Sequence, residues 1–158
     1  MTNEQFSRAV HDYADTVYHV ALNYLKNPHN AEDVTQEVFL RLYRAAKVPE
    51  GGEHTKAWLI RVTVNECRRQ LASPWSKLMP LEEWTESPDF SSGEKREVYE
   101  AVMALPAKYR IAVYLHYYEG YTAAETGRFL GISASAVCSR LERARNKLKI
   151  MLTEGENV

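Results

Sequence analysis

The chain has 158 residues, 45% of them hydrophobic, with two cysteines and 20 Lys plus Arg against 21 Asp plus Glu, a formal net charge of −1. This composition excludes extended disorder and a disulfide framework, and the length allows one medium domain or two small ones. No apolar run reaches the ~20 residues that span a bilayer and the N-terminus lacks a signal peptide's order, so a cytoplasmic protein with no membrane segment of its own is expected.

Phe6, Val10, Tyr13, Val17, Ala21 and Tyr24 recur at spacings of three and four, the stripe of an amphipathic helix that Pro28 should end. Asn30 is the expected cap of a second helix over residues 31–46, where Val34, Val38 and Leu42 repeat and Asp33 occupies the first turn. Off that stripe lie Asp33, Gln36, Glu37, Leu40 and Arg41. Leu40 among mixed charges suits a protein-docking face, although a solvated face is the commoner reason for such a pattern.

Pro49, Gly51 and Gly52 mark a loop, after which a third helix is expected over residues 55–71, with Ala57, Ile60, Val64, Cys67 and Leu71 on one side. Trp58, Ile60, Val62 and Val64 also alternate as a strand would. Helix is preferred because its pattern continues to Leu71 and no partner strand is visible. Lys56, Trp58, Arg61, Arg68 and Arg69, with Asn65 among them, form a basic and aromatic set that could support unstacked bases. Taken alone, the set reads better as Trp58 in the core and Asn65 as a polar surface residue.

Residues 1–73 carry nine basic and nine acidic side chains, residues 74–93 one and four, and residues 94–158 ten and eight. The middle stretch holds three of the six prolines and reads as a linker. The expected fold is all-α: two small helical domains, 1–73 and 94–158, joined by an acidic flexible linker at 74–93.

In the second domain Ser91-Ser92-Gly93-Glu94 has capping-box spacing before Val98, Val102 and Leu105. Pro106 should start a helix carrying Ile111, Leu115 and Tyr118 that stops at Gly120. Thr122 and Glu125 form a second capping box for a short helix ending at Leu130. Gly131 suits the left-handed turn, and Ser133 should cap a last helix over residues 134–151. A short capped helix, a glycine turn and a longer helix make a helix-turn-helix. The longer helix is two-faced: Val137, Leu141, Leu148 and Leu152 lie on one side, and Arg140, Arg143 and Lys147 on another, with Arg145 and Lys149 flanking. A local charge of +4 over residues 140–149 suits phosphates; without the preceding turn it would read as a solvated basic face. Ser135, Cys138, Ser139 and Glu142, near the start of the helix, are the candidate base readers.

Two enzyme-like arrangements are weaker. His11, Asp15 and His19 could face a metal, but no fourth ligand is evident. His116 and Glu119 read as a packed or capping pair. No phosphate loop or nucleophile motif is present.

Taken in order, these segments resemble the sigma factors of bacterial RNA polymerase, in the small extracytoplasmic-function (ECF) group of the sigma-70 family. Residues 30–44, NAEDVTQEVFLRLYR, look like the family's core-docking segment, and residues 56–65, KAWLIRVTVN, like its promoter-melting helix. Leu105-Pro106, residues 119–125, Leu130-Gly131 and residues 137–145 resemble its C-terminal helix-turn-helix. The resemblance implies that Asp33, Gln36, Glu37, Leu40 and Arg41 face core polymerase. It places a flipped-base pocket at residues 49–54, including Glu50, Gly51, Gly52 and His54. Lys56, Trp58, Arg61, Asn65, Arg68 and Arg69 would then engage the near element and its melted strand. Thr122 would open the supporting helix, Ser135, Cys138, Ser139 and Glu142 would read the far duplex element, and Arg140, Arg143, Arg145 and Lys147 would hold phosphates. The implied partners are core RNA polymerase, promoter DNA and an anti-sigma factor, with no catalytic residue, metal or cofactor. Arg69 stands where many relatives have Asp, Cys138 where a basic residue is common, and Thr126-Gly127-Arg128 replaces a more apolar run. The competing readings are an autonomous helix-turn-helix regulator that binds duplex operator without polymerase and, from another class, a metal-dependent enzyme.

Overall fold

The computed structural model describes residues 1–45, 47, 51–73 and 93–156, and the chain divides into two compact units, Met1–Trp84 and Thr85–Val158. In the first unit, α1 spans Asn3–Leu25, α2 Pro28–Arg44 and α3 Gly52–Ala72. The segment with strand-like alternation is therefore helical. Thr2 and Gln5 close a capping box at the start of α1, and Lys26 ends it in the left-handed conformation, φ 54°.

Asn27, not Asn30, caps α2: its side-chain oxygen accepts from the Asn30 backbone N–H at 3.0 Å. Pro28 opens this helix at its first position, where a missing N–H costs nothing, rather than merely closing the one before. Asp33 consequently lies beyond the first turn, out of reach of most of the helix dipole.

Each pair of these helices is in contact. Val17, Val20 and Ala21 of α1, Val34, Val38 and Leu42 of α2, and Leu59, Ile60, Val64 and Cys67 of α3 are inaccessible or nearly so. Burial of each large aliphatic side chain contributes about 1.5–3 kcal/mol. Phe6, Val10 and Tyr13 are only half-buried, so α1 packs most deeply through its C-terminal half. Leu71, on the expected core stripe, is exposed in the last turn of α3.

In the second unit, α4 spans Gly93–Ala104, α5 Ala107–Val113, α6 Ala123–Leu130 and α7 Ala134–Glu156, which makes seven α-helices among the described residues. The expected serine cap before α4 and residues 74–92 of the linker lie outside the described residues. Val98 is exposed, whereas Val102, Met103 and Leu105 are buried. A π-turn, Tyr114–Tyr118, continues α5. Its wider backbone adds a residue to the turn, so Tyr118 rotates off the Ile111–Leu115 stripe and is exposed. Arg110 is buried and donates to the Leu105 and Met103 carbonyls, satisfying the end of α4. Burial pushes the pKa of its guanidinium down.

The helix-turn-helix closes as its sequence grammar requires. Thr122 Oγ1 accepts from the Glu125 N–H, and Glu125 Oε1 accepts from the Thr122 N–H. Those bonds hold the Glu125 carboxyl below its usual range. Gly131 adopts φ 70°, and Ser133 Oγ caps α7 by accepting from the Ala136 N–H at 3.0 Å. Gly127 is needed for a different reason: a Cβ there would lie 2.5 Å from the Ile132 carbonyl oxygen. The core runs through Leu105, Ile111, Leu115, Leu130, Val137, Leu141 and Ala144, with Leu148 and Leu152 half-buried.

Candidate docking and nucleic-acid interfaces

On α2, Asp33, Gln36 and Leu40 are exposed opposite the buried stripe, with Glu37 half-exposed beside them. Sequence reasoning missed Tyr43, which is exposed on the same face and meets Phe6 edge-on, ring centroids 5.2 Å apart. Its spacing of three from Leu40 was the available signal. Together Leu40, Tyr43 and Phe6 supply an apolar patch amid charged and polar neighbours, the composition of a protein contact.

Arg41 departs from this face. Its guanidinium bridges Glu37 at 3.2 Å and Glu66 of α3 at 2.6 Å. Glu66 is 3% exposed and its second oxygen accepts from Arg69, also at 2.6 Å. A buried carboxylate thus gathers two arginines that the sequence assigned to separate surfaces, and it ties α2 to α3. Hydrogen bonding to Glu66 raises the pKa of the Arg69 guanidinium further. Cys67 beside it is buried, and desolvation, reinforced by the Glu66 charge, pushes its thiol up to about 12. Such a thiol is inert at neutral pH.

The remaining residues of the α3 set separate by face. His54, Arg61, Asn65 and Arg68 are exposed and fall within about 60° of one another at 100° per residue, forming one strip opposite the core. Trp58 is half-buried on the flank toward Arg69, and Lys56 is half-buried near the core side. At the start of α3, Gly51 has φ 99°, and the Gly52 carbonyl accepts a 2.9 Å hydrogen bond from the Tyr13 hydroxyl. The sequence pattern places Tyr13 on the α1 stripe and gives no sign of this bond. Glu50 lies outside the described residues.

On α7 the expected readers Ser135, Cys138, Ser139 and Glu142 are all exposed, whereas Val137, Leu141 and Ala144 are buried. Helical spacing puts Arg140, Arg143 and Lys147 on one flank of that exposed face and Arg145 on the other. Both flanks lean on tyrosines of α5 and its π-turn that sequence reasoning did not select. The Tyr109 ring lies 5.1 Å from Lys108 Nζ and 5.8 Å from Lys147 Nζ. A hydrogen bond from Arg143, which outweighs burial, holds the Tyr109 hydroxyl below its usual pKa, and the Lys108 charge assists. On the other flank Arg145 Nη1 donates to Tyr117 Oη at 2.7 Å. Thr122 acts as the cap of α6, and Thr126 inside that helix is fully buried with no hydrogen-bond partner for its hydroxyl among the described residues.

The enzyme-like arrangements take other partners. His11 pairs with its neighbour Asp12, and His116 Nδ1 bonds to the Tyr121 carbonyl while Glu119 accepts from the Tyr114 hydroxyl. No group of His, Cys, Asp and Glu suited to holding a metal occurs among the described residues. No helix among them is long and apolar enough to cross a membrane.

Known families match both units. Sigma-70 region 2 matches residues 9–76 and Sigma-70, region 4 matches residues 95–148. The chain is 31% identical over 156 residues to the ECF RNA polymerase sigma factor SigE of Mycolicibacterium smegmatis, covering 92% of this chain and 60% of that protein. It is 32% identical to SigM of Mycobacterium tuberculosis over 78% of this chain and 64% of the relative. The chain therefore spans somewhat under two thirds of the length of these relatives. It is also 24% identical to SigW of Bacillus subtilis, over 96% of this chain and 90% of SigW. Its fold matches the sigma factor RpoE solved in complex with the anti-sigma factor NepR from Bartonella quintana, with a TM-score of 0.80, 20% identity and coverage of 95% and 98%. With region 2 on the helices that carry Glu66 and region 4 on the helix-turn-helix, the chain belongs to the ECF sigma factors of the sigma-70 family.

Proposed function

We propose that this chain binds core RNA polymerase and directs it to a subset of promoters, acting by recognition rather than by catalysis, in the cytoplasm. The exposed α2 face of Asp33, Gln36, Glu37 and Leu40, extended by Tyr43, docks on the polymerase. The α3 strip of His54, Arg61, Asn65 and Arg68 engages the near element and its melted strand, with Gly51 and Gly52 at the base of the flipped-base pocket. Extruding a base costs a few kcal/mol, and promoter steps that unstack easily lower that cost. The α7 face reads the far duplex element. An anti-sigma factor, as the relative bound to NepR has, would act by covering these same surfaces.

One observation carries this reading: an exposed polar reader face on α7 bracketed on both flanks by basic side chains, in a chain that also offers a separate apolar docking patch on α2. Phosphate contacts on each side position the helix while base contacts specify sequence. Run-off transcription on DNA enriched from a random pool tests it. Core polymerase plus this chain should start at defined positions, and core alone should not; failure of the mixture to initiate overturns the reading.

A further inference from the structure

We propose that Tyr117 and Arg145 together form a binding site for one backbone phosphate of the far promoter element, with Tyr117 as a donor supplied from outside the recognition helix. This rests on the promoter-binding reading above and adds a residue that lies outside the helix-turn-helix.

The hydrogen bond between the two side chains has a direction. A guanidinium can only donate, so Arg145 gives its N–H to the phenolic oxygen at 2.7 Å. The phenolic hydrogen is left over. Tyr117 is 51% exposed and its hydroxyl meets no acceptor among the described residues. Arg145 is also exposed and keeps its full charge, because a neutral hydroxyl orients a guanidinium without neutralising it. The pair therefore presents one O–H and several N–H donors, side by side, to solvent. A phosphodiester carries one negative charge and two free oxygens, which matches one oxygen on the hydroxyl and one on the guanidinium.

Position on the helix favours backbone over bases. Arg145 follows Cys138 by seven residues, two turns along the same strip and roughly 10 Å farther from the helix start. The early turns of a recognition helix enter the groove, and later ones cross toward its phosphate wall.

Tyr117 is also held in place beforehand. It belongs to the π-turn, whose extra residue changes the direction in which that part of the chain presents its side chains. Its ring meets the edge of His116 at 4.9 Å, and His116 is fixed in turn by a 2.7 Å bond from Nδ1 to the Tyr121 carbonyl. A donor that is already oriented loses little freedom on binding.

The test uses the full chain with core polymerase and DNA that this complex enriches from a random pool, with affinity measured across a range of salt. Tyr117→Phe keeps the ring and removes only the hydroxyl. Affinity should fall about three- to tenfold with no change in the slope of log affinity against log salt, because a neutral donor displaces no counterion. Arg145→Ala should reduce that slope by about 0.9, and Tyr117→Phe should cost less once Arg145 is gone. Replacing phosphates of the far element singly by uncharged methylphosphonate should reveal one position at which the Tyr117→Phe penalty disappears. The unfolding midpoint of Tyr117→Phe should match the parent. Parental affinity in Tyr117→Phe overturns the site, as does a penalty that no methylphosphonate removes, the result expected if Tyr117 acts only structurally or on a protein partner. If the parent complex with polymerase enriches no DNA at all, the promoter-binding reading falls and takes this site with it.

Discussion

In the first unit Arg41 and Arg69 converge on the buried carboxylate of Glu66, whereas in the second Arg143 and Arg145 rest on tyrosine hydroxyls and Arg110 on backbone carbonyls. A carboxylate partner cancels most of an arginine's field at a distance. A surface hydroxyl fixes its direction and leaves the charge to act on whatever approaches, whereas the carbonyls around Arg110 hold a charge that is buried. Arg41 and Arg69 thus serve as internal cement, as the buried Arg110 does in the second unit, whereas Arg143 and Arg145 act as outward electrostatic groups. Counting arginines along a segment cannot separate these uses; the partner decides.

The largest effects should come where an arginine's partners are buried. Arg110→Ala removes a guanidinium that satisfies two carbonyls and packs its stem in the core. It should cost about 3 kcal/mol in urea unfolding of the full chain. A cost near zero would mean that water or a neighbour replaces those bonds. Glu66→Ala should cost less, about 2 kcal/mol, because Arg41 and Arg69 both reach solvent and their attraction to Glu66 is screened. Its second effect discriminates. Two released arginines should steepen the salt dependence of promoter binding while stability falls. If Glu66→Ala leaves the slope unchanged, those arginines were not neutralised by Glu66 and the contrast between the units fails.

The sequence was informative where structure is local. Thr122 with Glu125, Gly131 and Ser133 state the helix-turn-helix in adjacent residues, and the α3 helix followed from a stripe continuing past its strand-like stretch. Asn27-Pro28 also carried a readable signal, a cap followed by proline at the first helical position, which was hidden by taking Pro28 as a stop. The candidate site was legible in residue type but not in allegiance. Arg41 meets Glu66 across 25 positions, and no charge pattern reveals such a pairing. Tyr117 was hidden for another reason: periodicity assumes 3.6 residues per turn, and the π-turn breaks that assumption where the tyrosines cluster.

Smaller in effect, but sharper for the comparison, is the salt slope of single arginine variants. Arg143→Ala should flatten log affinity against log salt by about 0.9, which makes the loss of affinity roughly threefold larger at 50 mM than at 200 mM salt. Arg69→Ala should leave the slope at its parental value, because its charge is already matched by Glu66. Equal slopes for the two variants would erase the distinction between cement and contact.

The smallest effect reads the tyrosine brace directly. Arg143 holds the Tyr109 hydroxyl below its ordinary value of 10.0, because the donated hydrogen bond favours the phenolate. A folded-state value below the unfolded one contributes stability above pH 10 that is lost as pH falls through the folded value. Ultraviolet titration, with Tyr109→Phe subtracted to isolate this ring, should show it ionising ahead of an unperturbed tyrosine. Arg143→Ala should move that step back up, and should do nothing in the Tyr109→Phe background. Promoter DNA should act in the same direction as Arg143→Ala: a phosphate that draws the guanidinium off the phenol removes the bond that favoured ionisation. A step that stays put when DNA binds would mean that Arg143 remains on Tyr109 in the complex, a structural brace like Arg69 on Glu66, and the two units would then use their arginines alike.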